Sequence, residues 1–152
     1  MRTTIQQLAK TRGRILGVDF GDVRTGLAIS DPARFLASGL QTVTPGSMTK
    51  TALCVAETAK EQGAVAIVVG LPVNMNGTEG PRAEHIRLFV DMLEEQTELP
   101  ILLLDERMTT MAASRFLTET NTRGIKRKQV IDTLSAQIIL QNALDRLKNQ
   151  AT

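Results

Sequence analysis

The chain has 152 residues, 42% of them hydrophobic, and a net charge of +2, which suits one soluble domain with a full core and leaves no room for a second sizeable one. Its aromatic residues are Phe20, Phe35, Phe89 and Phe116, with no Trp or Tyr, so base stacking is not expected and contact with nucleic acid should be mainly electrostatic. The one cysteine, Cys54, excludes an intrachain disulfide and suits a reducing compartment, while the longest apolar run, residues 64–73, is broken by Gly70 and Pro72 and is far too short to span a bilayer.

Residues 1–13 are basic, lack acids and lack the apolar core of a secretory signal. They read as a flexible lead-in to a single domain over 14–152, in a cytoplasmic protein. Arg14 to Phe20 and Thr25 to Ser30 read as strands joined by the turn Gly21-Asp22-Val23-Arg24, which makes an antiparallel hairpin. Leu36 to Val43 supplies a third strand after the Asp31-Pro32 turn. Pro45-Gly46-Ser47 then opens a helix that runs to about Gln62 and stops at Gly63.

The run from Ala64 to Val69 is continuous and β-branched, as expected of a central strand buried on both faces. In the helix that follows, Ile86, Phe89, Val90 and Leu93 form one apolar stripe. Pro100 introduces another buried strand, Ile101 to Leu104. Thr109 or Thr110 can cap a helix through about Thr118, and a polar loop with Gly124 precedes a last helix from near Lys128, striped by Leu140, Ala143, Leu144 and Leu147. The order βββαβαβαα predicts an α/β fold: a mixed five-stranded sheet, antiparallel in its first three strands and parallel thereafter, flanked by helices.

Three acids stand at the ends of these elements. Asp19 closes the first strand in VDFGDVRTG, Glu106 follows the last strand in LLLDERMTT, and Asp132 opens the last helix in KRKQVIDTLSA. Each has an ordinary explanation alone, as a turn residue, an ion-pair partner or an acid in the first turn of a helix. Together they could hold a hard cation such as Mg²⁺.

Strand alternation sends Asp105 and Glu106 to opposite sides, so only one can share a cleft with Asp19, and Glu106 is the choice. Asp132 has the small residues Ser135 and Ala136 at i+3 and i+4, which would let that helix face approach the sheet. The loop from Gly70 to Gly80, with Asn74, follows the central strand where open α/β sheets place ligands, and suits a structural or substrate-positioning role rather than catalysis. Arg24, Lys126, Arg127 and Lys128 are candidates to hold phosphates, whereas His85, the sole histidine, reads as structural or solvent-facing.

Four blocks carry a resemblance. They are Val18-Asp19-Phe20-Gly21 with Arg24, Gly26 and Ala28; Val69-Gly70-Leu71-Pro72 with Asn74, Met75 and Gly77; Asp105-Glu106-Arg107 with Thr109; and Lys128 with Asp132, Ser135 and Ala136. In this order they resemble the YqgF (RuvX) family of RNase H-like proteins, described as Holliday junction resolvases and as nucleases of small-subunit rRNA precursors. The match covers about residues 14–147 and leaves out the basic lead-in.

The resemblance implies an RNase H-like fold and metal-dependent phosphodiester cleavage, with Asp19, Glu106 and Asp132 as catalytic ligands of one or two Mg²⁺ or Mn²⁺ ions. Arg24, Asn74, Arg107, Lys126, Arg127 and Lys128 are then the candidates for substrate binding. Pre-16S rRNA is the favoured partner and branched DNA the alternative, with the protein a monomer or weak homodimer. RuvC-type resolvases offer two acids one turn apart on the last helix. Here Asp132 is followed by Ser135, which weighs against junction resolution.

Two rival readings remain. A non-catalytic nucleic-acid-binding module predicts binding without divalent-dependent cleavage. A fragment of a sugar-kinase or actin-like ATPase is suggested because DFGDVRTG also resembles their first phosphate loop, but those proteins need two such domains.

Overall fold

The computed structural model describes residues 1–44, 46–105 and 124–150, the stretch 124–132 by its backbone alone. Five strands form one sheet: β1 (Ile15–Asp19), β2 (Thr25–Ser30), β3 (Ala37–Val43), β4 (Ala66–Leu71) and β5 (Ile101–Asp105), in the spatial order β3-β2-β1-β4-β5. β1 pairs antiparallel with β2, and β2 with β3. β4 lies parallel to β1 and β5 parallel to β4, so the mixed sheet follows the expected order.

The helices are α1 (Ile5–Leu8), α2 (Met48–Glu61), α3 (Pro81–Gln96) and α4 (Gly124–Gln150). Ser47 caps α2 by accepting from the Lys50 N–H at 3.2 Å. At its far end Gly63 adopts φ 68°, and the N–H groups of Gly63 and Ala64 return to the carbonyls of Lys60 (3.1 Å) and Ala59 (2.9 Å). This left-handed cap satisfies carbonyls the helix leaves open, which is why the chain turns there into β4. Pro81 occupies the first turn of α3, where its missing N–H costs nothing. The helix expected near Lys128 begins at Gly124, and the one expected over Thr109 to Thr118 lies outside the described residues.

Strand alternation divides the core into two layers. Leu16 and Val18 of β1 and Ile67, Val69 and Leu71 of β4 pack against α2 and α3, where Ile86, Phe89, Val90 and Leu93 supply the expected stripe. Ile15, Ala28, Val68, Leu102 and Leu104 pack on the opposite face against Leu8 of α1 and the Ala136–Leu147 stripe of α4. Every residue of β4 is buried, as a central strand covered on both faces requires. Gly17 allows α4 to lie close: a Cβ there would stand 2.7 Å from Leu140 Cβ and 3.2 Å from the Ala136 carbonyl.

Residues 1–3 are tied to the edge of the sheet. Thr3 N–H donates to the Ile101 carbonyl (2.9 Å) and Ile101 N–H to the Met1 carbonyl (2.7 Å), so the first residues extend the sheet beside β5. Arg2 Nε reaches Glu94 at 2.9 Å, and Leu8 is buried against the α4 layer. Buried Leu8, with Ile5 and Ala9 packed beside it, belongs to a helix of only four residues, too short to establish a period, which is why the basic charge dominates a reading of the sequence.

Candidate active site

Asp19 ends β1, partly buried and paired across the hairpin with Gly26. It falls on the face shared by Ile15 and Gly17, the face that α4 covers, because Leu16 and Val18 take the other. The residue after it is held firmly. Phe20 stacks on Phe89 with centroids 4.2 Å apart, lies 5.6 Å from the His85 ring, and its carbonyl accepts from Arg82 Nη2 at 3.4 Å.

The turn onward depends on Gly21, where a Cβ would overlap the Arg24 carbonyl oxygen. Arg24 is thereby brought back beside β1 at the start of β2, partly buried. His85, expected to be structural or solvent-facing, both packs on Phe20 and approaches Asp22, with 3.7 Å between Nε2 and Oδ1. Neither Arg82 nor His85 is a candidate in a reading of sequence. The available signal is spacing: Phe89 follows His85 by four residues and Arg82 by seven, which puts the three on one face of α3.

At the same end of the sheet β4 runs into the Asn74 loop. Asn74 N–H donates to the Thr78 carbonyl (2.8 Å), Gly77 N–H to the Asn74 carbonyl (2.8 Å), and Asn74 Nδ2 to Thr78 Oγ1 (3.1 Å), which closes the loop on itself with Asn74 at its exposed rim. Arg87 grips Glu79 at its far side through two 2.8 Å hydrogen bonds, holding that carboxylate below its ordinary pKa.

β5 finishes here on Asp105, whose position in the alternation groups it with Ile101 and Leu103 on the α2–α3 face, opposite Asp19. Glu106 and Arg107 lie outside the described residues.

α4 descends the opposite face. A Cβ on Gly39 would meet Thr133 and Gln137, whereas Gln141 bonds Ala37 N–H at 2.9 Å, so the N-terminal half of α4 lies toward the end at which β1 and β5 finish. The backbone of Asp132 belongs to this half, one turn before the buried Ser135 and Ala136. The side chains of Asp132, Lys126, Arg127 and Lys128 lie outside the described residues. Among the described residues no group of three His, Cys, Asp or Glu is arranged to hold a metal ion.

A family model described as "RuvX: Holliday junction resolvase" matches residues 13–146. The chain belongs to the RuvX family. A relative from Ruminiclostridium cellulolyticum, named "Putative pre-16S rRNA nuclease", is 42% identical over 135 residues, covering 88% of this chain and 95% of its own. RuvX relatives of the same name from Rhodopseudomonas palustris strain BisB5 (46% identical, 90% of this chain and 85% of that one) and Thermoanaerobacter pseudethanolicus (45%, 90% and 99%) agree with it.

The RNase H-like fold expected of a RuvX member is borne out by two solved structures. Thermus thermophilus RuvC superposes with a TM-score of 0.54 at 13% identity, over 89% of this chain and 96% of that one. The Fowlpox virus resolvase in complex with Holliday junction DNA gives 0.52 at 11%, over 87% and 97%. Among the described residues, no helix of this RuvX chain is long and apolar enough to cross a membrane.

Proposed function

We propose that this chain is a divalent-metal-dependent nuclease that hydrolyses phosphodiester bonds, with the 5′ end of pre-16S rRNA as its substrate. The observation that carries the reading is the gathering at one sheet end of Asp19, the close of β5 and the N-terminal half of α4, in a chain of the RuvX family. The names of the relatives support the substrate.

The donor set fits a hard cation by its chemistry, because Asp19, Glu106 and Asp132 offer oxygen alone. Those three residues would hold one or two Mg²⁺ or Mn²⁺ ions. When bound, such ions would activate the attacking water and stabilise charge on the leaving oxygen.

The chain does the positioning. Phe20 and Gly21 fix the exit of β1 so that Asp19 keeps one orientation, and Arg24 returns beside it through the tight turn. Arg24, Arg107, Lys126, Arg127 and Lys128 hold backbone phosphates without reading the bases, and Asn74 orients the strand from the loop rim. A cytoplasmic location accompanies a precursor-rRNA substrate.

Resolution of branched DNA is the second reading, favoured by the description of the family model. Ser135 weighs against it. This residue is buried one turn after Asp132, leaving three strong ligands rather than four. Symmetric junction cutting also requires a dimer, which rRNA trimming does not.

The deciding experiment is a cleavage assay with Mg²⁺ or Mn²⁺ on precursor rRNA, junction DNA and duplex DNA, with wild type beside Asp19→Asn. Precursor rRNA should be cut by wild type alone, the variant being at least about a hundredfold slower, since losing a metal ligand removes several kcal/mol of transition-state stabilisation. Cleavage that persists in Asp19→Asn and in excess chelator would sink the proposal.

A further inference from the structure

The opposite end of the sheet carries a second surface that cleavage does not use. A cavity of about 510 Å³ opens there between the end of α1, the β2–β3 connection and the last turns of α4. Among the described residues its lining includes Lys10, Arg12, Arg34, Phe35 and Lys148 and no acid.

The β2–β3 connection is rigidly built. Asp31 Oδ1 accepts from the N–H groups of Phe35 (2.8 Å) and Leu36 (2.9 Å), and Gln141 of α4 donates to the Phe35 carbonyl (3.2 Å) while accepting from Ala37 N–H (2.9 Å). Between them Arg34 stands at φ 63°, in the left-handed region that residues with side chains seldom occupy. Its guanidinium holds it there, donating to the carbonyls of Gly13 (2.7 Å) and Leu8 (3.0 Å) and to Thr11 Oγ1 (2.8 Å). Backbone strain of this kind persists only where surrounding contacts impose it.

The outcome is an aromatic ring fixed in water. Phe35 is 66% exposed, whereas Phe20 and Phe89 are buried against each other, and Lys148 Nζ lies 5.9 Å from the Phe35 centroid. Asp31 accepts from two backbone N–H groups and Asp145 from Gln141 at 3.1 Å, and neither lines the cavity. An exposed ring in a cavity lined by cations matches sequence-indifferent recognition of single strands, in which a base stacks and neighbouring phosphates meet Lys and Arg.

We propose that this pocket binds single-stranded nucleic acid, with one base stacked on Phe35 and the flanking phosphates held by Lys10, Arg12 and Lys148. Lys148 lies 16 residues beyond Asp132 on α4, about 24 Å along the helix, so the pocket grips strand remote from the bond that is cut. The low aromatic content argued against stacking as a general mode, but one displayed ring suffices for one base. The choice of ligand rests on the nuclease reading, although binding here needs neither metal nor cleavage.

The test measures fluorescence anisotropy of a labelled single-stranded oligoribonucleotide, and of its DNA counterpart, with the full chain in chelator. Phe35→Ala should weaken binding about fivefold or more, the loss of one base–aromatic stack, and Phe35→Trp should restore it. Lys148→Glu should weaken binding and flatten its salt dependence. Leu88→Ser, at an exposed position on α3, should bind as wild type does.

A larger loss with RNA than with DNA, or the reverse, supports the pocket and shows which strand it favours. Wild-type affinity in both Phe35→Ala and Lys148→Glu overturns the proposal, as does a wild-type chain that binds neither strand. If those variants bind normally while wild type cleaves, the pocket falls and the nuclease reading stands. If binding depends on Phe35 but no substrate is ever cut, the nuclease reading falls and the pocket stands.

Discussion

Gly21 has a demanding role beside Asp19, because the Arg24 carbonyl occupies the place a Cβ would take. Gly21→Ala must therefore open the turn. It should cost about 1–3 kcal/mol of stability, and cleavage should fall by more than the unfolded fraction accounts for. Thermal unfolding and the cleavage rate, measured on the same preparation, separate the two effects, and an unchanged rate would show that the turn does not position Asp19. Phe20 acts by packing: truncating it to Ala removes the stack on Phe89 and should cost about 3–5 kcal/mol. The motif around Asp19 was legible in the sequence because acid, glycine and strand end are adjacent in it. Arg82 and His85, which touch Phe20 from 62 and 65 positions away, were not. Nothing local marks a side chain whose partner is supplied by another element.

At the level of elements, α4 and the N-terminal segment depend on close fits. Gly17→Ala pushes a methyl group against Leu140 and should destabilise by about 1–3 kcal/mol. Pairing it with Leu140→Ala should recover part of that loss, and strict additivity in a double-mutant cycle by chemical denaturation would refute the contact. Leu8→Ala should cost about 2–4 kcal/mol, far more than expected of a lead-in outside the core. The same segment gives a pH dependence. The hydrogen bond from Arg2, helped by the N-terminal amine, holds Glu94 below its usual 4.5. Its folded pKa thus lies below the unfolded one, so its stabilisation is present above about pH 4.5 and is lost as the pH falls through the folded value. Glu94→Gln should flatten that part of the acid limb in a series of melting temperatures. A limb identical to wild type would show that the tie contributes nothing. β1 to β5 and the stripes of α3 and α4 follow from hydrophobic period, whereas α1 is too short to have one.

Over the whole molecule, a modest net charge of +2 conceals an uneven distribution, with Lys126, Arg127 and Lys128 near one end of α4 and Lys148 near the other. Binding of a single strand should therefore weaken linearly in log affinity against log salt, and each neutralised phosphate contact, as in Lys126→Ala, should lower the slope by roughly 0.7. A slope unchanged by every such variant would exclude electrostatic anchoring through α4. The sequence alone determined the α/β class, the mixed sheet and the candidate acids, because burial on two faces, a strand-closing acid and a helical stripe are local patterns of period two or 3.6. Tertiary structure alone decided that residues 1–3 join the edge of β5, that α4 covers the face to which Asp19 belongs, and that Phe35 is held in water above a basic pocket. Those outcomes depend on which surfaces meet across long separations in the chain, and no local pattern of residues encodes that choice.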